Sequence, residues 1–490
     1  MSGTVRLADL LAGLSVAADA GMGLPSEESM RASVIATGIA RRLDLADDEV
    51  RHVLYATLLL HLGCTGYAHE RAAAFGDEVA FNGASARADF LDPLDVLRTM
   101  VPALAGDAGA LERGRVATRL IVGGNRFGRR ATTATCEVGR RLARRLGLPD
   151  AVQRALYEAF ELWNGKGTPH GLDGEEVTIV ARVARVAATA ARLAAAAGRE
   201  GALDAIRARA GGMLDPRLCE LFAAHADELI AEAEEGDPRE LVLEREPQPV
   251  AYRRRDELPE LAAVFADYAD LKTPFTHGHS REVARLAVAT AQRLRLGAEA
   301  ASRLELAGLL HDLGRVAVSS SIWEKPGPLT GAEWEQVRLH PYRSERILAG
   351  SEALEPLARL AGTHHERLDG SGYHRGCEAR ELPAPARVLA AADAYQAMTQ
   401  RRPHRDALDP EQAAEELGRE CRTNREIAER LVISRRTAEH HVQHIYAKIG
   451  ESSRPPRRCS RSSTACSTPA ASRPSRILRR RRAGGARVRA

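Results

Sequence analysis

The chain has 490 residues, 44% hydrophobic and only 4% aromatic, with a net charge of +4. That length covers about three domains, each able to bury a core. The Ala-, Leu-, Arg- and Glu-rich composition excludes a sheet-rich fold and predicts an all-α one. Seven cysteines without a CxxC pair exclude a disulfide framework or a cysteine-held zinc. No window reaches the ~18 apolar residues of a membrane span, so a cytoplasmic chain without a membrane partner is expected.

Residues 1–232 hold segments such as SVIATGIARRL and EVRHVLYATLLLHLG, apolar at spacings of three and four, which predict helices with one buried stripe. Residues 233–255 concentrate charge and proline and read as a linker. A second helical unit follows over 256–416, then a short piece over 421–450. The tail, 451–490, has twelve arginines and one glutamate, so it carries the basicity of an otherwise mildly acidic chain. Its Arg/Ser/Pro composition has no apolar period and predicts disorder; it also resembles the product of a shifted reading frame in GC-rich DNA.

The second unit carries the chemistry. It presents His279, the pair His311–Asp312, His340, the pair His364–His365, and Asp393, and eight of the sixteen histidines fall between 277 and 404. Imidazoles and carboxylates inside apolar helical patterns need partners, because uncompensated burial costs several kcal/mol. A divalent metal satisfies several at once, and nitrogen and oxygen donors without thiolate suit iron, manganese or zinc. An Asp beside a His can bridge two ions ~3.5–4 Å apart, an arrangement that clamps a phosphoryl group. Consecutive helical residues point about 100° apart, so His364 and His365 can face one cleft only near a helix end, which Gly370 and Gly372 supply.

This series, with LLHDLGR, KPGPLT, HHERLDGSGYH and RPHR, resembles the HD-GYP family of HD-superfamily metal-dependent phosphohydrolases over roughly 270–410. The resemblance implies a helical bundle and a cyclic di-GMP phosphodiesterase activity. It also implies two divalent ions, iron, manganese or similar. By that resemblance His279, His311, Asp312 and Asp393 would hold one, and Asp312, His340, His364 and His365 the other. The ions would supply a hydroxide to attack phosphorus, with Asp312 shared between them and Arg315 offsetting charge. Arg315, Arg402 and Arg405 fall where the family contacts phosphate. Phe275 stands where some relatives carry a third-metal Glu. The GYP proline is His374, expected to be a solvent-facing loop residue, so the substrate reading is a nucleotide, cyclic di-GMP being one.

The N-terminal unit repeats the second. A shift of 205 lays Glu161, Gly165, Gly167 and Gly171 on Glu366, Gly370, Gly372 and Gly376; a shift of 251 lays Gly63 on Gly314. At the ligand positions this copy has Glu28, Leu60, His61, Ala159, Phe160 and Ala188. It therefore reads as a degenerate HD-like domain without a two-metal site, serving dimerisation, ligand sensing or packing. His61 reads as a core or capping histidine. The fold expected is tandem HD-type helical bundles followed by a partial helix-turn-helix.

Residues 421–450, TNREIAERLVISRRTAEHHVQHIYAKIG within them, resemble the LuxR-type helix-turn-helix. The resemblance puts Arg435, Arg436, Thr437, His440, His441 and Lys448 where phosphate and base contacts fall. The helix that usually precedes the motif is absent and the closing one is replaced by the tail, so the module is truncated. The leading reading is a nucleotide phosphodiesterase coupled to a DNA-binding module; the alternative is a LuxR-type regulator whose HD-GYP unit senses a nucleotide without turnover.

Overall fold

The alanine-rich stripes fold into helices throughout a computed structural model that describes residues 3–106 and 109–420. The helix-turn-helix residues Arg435, Arg436, Thr437, His440, His441 and Lys448, and the tail, lie outside the described residues. The all-α expectation holds: the named strands are Thr4–Arg6 and Tyr252–Arg254, paired antiparallel with Val5 opposite Arg253.

Both copies use the same local devices. In the first, Asp19 accepts from the Ser29 backbone N–H (3.1 Å) and hydroxyl, bonding the start of helix Glu28–Arg42 to the end of Leu7–Gly21. In the second, 251 residues on, Asp270 does the same for Ser280 (3.0 and 2.8 Å) at the start of His279–Arg293. Glu161 accepts backbone N–H groups of His170, Gly171 and Leu172, closing the glycine loop. Glu366 does so from Arg375 and Cys377. Gly165 and Gly370 (φ 71° and 77°) and Gly171 and Gly376 (φ 73° and 61°) take left-handed backbone at matching turns.

One apolar core runs from Val5 through Tyr268 to Ala361, so the copies share it. Helix Leu7–Gly21 packs on the 3₁₀ turn Leu313–Ala317 and on helix His340–Ala349. A second cluster, around Val283, Leu304 and Leu389, belongs to the second copy alone.

The stretch that reads as a linker is built into this body. Helix Pro238–Arg245 buries Val242 completely, and buried Glu246 accepts from Arg6 and Tyr55. Two of its charges are matched by partners outside the stretch, Arg239 by Asp9 and Arg245 by Glu232, which composition does not disclose.

Candidate metal centre

His279 opens helix His279–Arg293 after Gly278, in left-handed backbone at φ 70°. His311 and Asp312 follow helix Ala298–Leu310 where the chain turns into Leu313–Ala317. That turn lies against the start of helix His340–Ala349: a Cβ on Gly314 would sit 2.1 Å from the His340 carbonyl oxygen, so only glycine allows the approach. His364 and His365 follow helix Glu355–Gly362, and Asp393 lies inside Ala384–Thr399.

The seven residues meet in one place. Asp312 Oδ1 is 3.2 Å from His340 Nε2 and 3.6 Å from His364 Nε2; its Oδ2 is 3.5 Å from His311 Nε2 and 3.7 Å from His279 Nε2. Asp393 Oδ1 is 3.1 Å from His279 Nε2, and its Oδ2 is 3.8 Å from His365 Nε2. Three sets have donor atoms within 4.8 Å of one another: His340, His364 and His365; His279, His311 and Asp312; and His311, His364 and Asp393.

The residues present fit a divalent metal. Nδ1 of His311, His340 and His364 lies 2.8, 2.6 and 2.6 Å from the backbone carbonyl three residues earlier. Each Nδ1 therefore carries the proton and each Nε2 turns a lone pair inward. The Nε2 atoms of His340 and His364 are 3.1 Å apart, and that of His311 is buried with no hydrogen-bond partner. Converging lone pairs repel one another; a cation among them satisfies all three.

Electrostatics agree. Burial raises the Asp312 and Asp393 carboxyls, but the surrounding imidazoles, and Arg315 at Asp312, hold both well below the usual carboxylate range. Burial pushes His340 down to about 4, keeping its ring neutral. His311 is lowered by burial and more than restored by Asp312 and Asp393, to about 9: the carboxylates that draw a proton there would equally draw a metal cation.

Arg315 donates to Asp312 Oδ2 (3.2 Å) and lies 4.0 Å above the Trp323 ring, whose Nε1–H donates to the Arg315 carbonyl. Arg402 is lowered to about 10 by burial and then by Arg315, with Asp393 and Asp312 opposing; it remains a cation. Arg405 is turned elsewhere, donating to the carbonyls of Ala397, Met398 and Asp406. Tyr373 stacks on His365 with ring centroids 4.3 Å apart. His374, expected to face solvent, is instead tucked beside the Tyr342 ring and Glu366, with 11% of its side chain exposed.

Sequence reading missed Trp323 and the helix-start acceptor Asp270. The second was findable, since Asp19/Ser29 and Asp270/Ser280 share the 251-residue offset of Gly63 and Gly314.

In the first copy Glu28 and His61, at the positions of His279 and Asp312, are joined by Arg192. Its Nε donates to Glu28 Oε1 (2.9 Å), its Nη1 to the Ala86 carbonyl (2.9 Å), and its Nη2 lies 3.1 Å from His61 Nε2. A guanidinium thus stands where the second copy gathers metal-competent groups. Burial, then Arg192, hold His61 at about 3, a neutral core histidine.

Comparison with known proteins points to the hydrolase chemistry that this His/Asp cluster in a helical frame suggests. Residues 263–425 match the HD domain family and residues 420–456 the bacterial regulatory proteins of the luxR family. The 3'3'-cGAMP-specific phosphodiesterase 3 of Vibrio cholerae is 29% identical over 420 residues, 84% of this chain and 90% of that protein. A cyclic di-GMP phosphodiesterase of Thermotoga maritima is 35% identical over 33% of this chain and 44% of its own. The crystal structure of the V. cholerae cyclic GMP-AMP phosphodiesterase V-cGAP3 superposes with a TM-score of 0.60 at 25% identity, covering 91% of this chain and 98% of that one. The second copy thus carries an HD domain similar to those of cyclic-dinucleotide phosphodiesterases, which makes the chain a metal-dependent phosphohydrolase, and a LuxR-type match follows it. No helix among the described residues is long and apolar enough to cross a membrane.

Proposed function

We propose that the chain hydrolyses a phosphodiester bond of a cyclic dinucleotide, of the cyclic di-GMP or 3'3'-cGAMP class named for its relatives, using two divalent ions such as iron or manganese. His279, His311, Asp312 and Asp393 would hold one ion, and Asp312, His340, His364 and His365 the other. The carrying observation is the convergence of inward-facing Nε2 lone pairs on a carboxylate that five cation-capable groups approach within 3.7 Å. Bound there, divalent ions supply Lewis acidity and lower the pKa of water toward neutrality.

The chain's own groups do the rest. Arg315, held between Asp312 and the Trp323 face, and Arg402, cationic despite burial, bind the non-bridging phosphate oxygens and offset charge as it develops. Arg405 braces that arginine turn through the backbone bridge between Arg402 and Arg405. The carbonyl bonds at Nδ1 fix the imidazoles of His311, His340 and His364, so little reorientation of these rings is needed at reaction.

Metal analysis of protein purified without oxygen, followed by cyclic dinucleotide hydrolysis, tests this. We expect about two ions per chain, and Asp312→Asn should lose metal and at least about 10³-fold in kcat, roughly 4 kcal/mol of barrier. An Asp312→Asn protein with wild-type turnover would sink the reading. The luxR match at 420–456 supports a second function, in which nucleotide binding controls DNA contact through Arg435, Arg436, Thr437, His440, His441 and Lys448. A salt-dependent shift of promoter DNA, abolished by changing Arg435 and Arg436, is its measure.

A further inference from the structure

The degenerate copy reaches into the segment that follows the HD pair. Glu78, the first residue of helix Glu78–Arg87, has a fully buried side chain, and its Oε1 pairs with Lys272 Nζ at 2.7 Å, itself 1% exposed. The same carboxylate accepts from the Ser320 backbone N–H (2.8 Å), the Ser320 hydroxyl (3.0 Å) and the Ser319 hydroxyl (2.6 Å). Lys272 Nζ donates in turn to the Val316 carbonyl at 2.8 Å. Two charges far from this segment in sequence thus grip residues 316–320 at both ends.

This stretch lies between two site groups. Arg315 precedes it, and the short helix Ser320–Trp323 that follows ends in the indole beneath the Arg315 guanidinium. The degenerate copy makes two further contacts around this segment: helix Leu7–Gly21 packs on Leu313–Ala317, and His69 Nδ1 meets Glu324 Oε2, just past Trp323, at 2.5 Å. A buried ion pair adds little stability over apolar residues of the same volume, because both charges must leave water. What it does confer is one geometry: a carboxylate with four donors has a single low-energy placement.

We propose that Glu78 is a positioning residue for the active copy, and that the degenerate copy sets the placement of Asp312, Arg315 and Trp323 through the Glu78–Lys272 pair. The inference rests on the phosphohydrolase reading of that site. It assigns to the degenerate copy the role of completing the active one, with no ligand of its own required.

The chain has three tryptophans, so full-length protein carrying fluorotryptophan gives three fluorine resonances, with Trp323 identified by Trp323→Phe and Trp163 serving as reference. Glu78→Ala should move the Trp323 resonance, leave that of Trp163 in place, and lower kcat by about ten- to a hundredfold with KM within about twofold. Glu78→Gln, which keeps an acceptor for the Ser320 N–H, should restore most of both. If Glu78→Ala does not fold, the double change Ser319→Ala and Ser320→Ala takes its place with the same expected shift. A folded variant whose Trp323 resonance and kcat match wild type overturns the proposal. So does an equal kcat loss in Glu78→Ala and Glu78→Gln without a Trp323 shift. Absence of hydrolysis by wild type would instead overturn the phosphohydrolase reading, since the resonance still reports the segment.

Discussion

Replacing Arg192 by Met removes the cation that stands between Glu28 and His61 while keeping an apolar stem of similar length. The side chains of Arg192 and Glu28 are 8% and 5% exposed, so the carboxylate is left buried beside a neutral histidine. Breaking a buried pair by removing one partner costs about 3–5 kcal/mol, and the Ala86 carbonyl loses its donor besides. Glu28 can lower that cost by taking a proton. Its pKa is already raised by burial, with Arg192 opposing, and loss of Arg192 raises it further. The folded variant then holds a proton at pH values where the unfolded chain has lost it, so its stability falls as pH climbs above the ordinary Glu value. The expected loss is about 4 kcal/mol at pH 8 and about 2 kcal/mol at pH 5. Adding Glu28→Gln should recover most of the pH 8 deficit. Urea unfolding followed by circular dichroism at the two pH values measures this. A variant as stable as wild type at pH 8, or a loss independent of pH, would refute the assignment of Arg192 as a resident cation.

Three further outcomes follow from individual contacts. Gly314→Ala should fail to give folded, metal-binding protein, because its Cβ would fall 2.1 Å from the His340 carbonyl oxygen; expression and metal content report it. Asp19→Asn tests burial of an acid: desolvation lifts Asp19 to about 7 against its bonds from Ser29, so wild type loses stability from this group between roughly pH 4 and 7. The amide lacks that slope, and the variant should gain on wild type by about 2–3 kcal/mol between pH 5 and 8, read from urea midpoints. Arg402→Gln should lower kcat/KM about ten- to a hundredfold, the worth of a charge-assisted bond to phosphate. Steady-state kinetics checks it.

Much of the site is legible in the sequence. The HD pair, the adjacent histidines and the glycine loop are local patterns, and the 205- and 251-residue offsets expose the repeat by simple alignment of Glu161 with Glu366 and Gly63 with Gly314. The stretch 233–255 reads wrongly as a linker because a charge such as Arg239 finds its partner at Asp9, more than two hundred residues away. His374 reads wrongly as solvent-facing because a loop residue's exposure depends on what packs beside it, here Tyr342 and Glu366.

By itself the sequence determined the helical class, the tandem repeat and which His and Asp residues are available to meet in one cluster, because helical period, turn chemistry and donor type are properties of a few neighbouring residues. Only the tertiary structure decided that imidazole lone pairs converge on Asp312, that Arg192 sits between Glu28 and His61, and that Glu78 meets Lys272. Those outcomes depend on how distant helices pack, and a one-ångström difference in packing makes or breaks each contact.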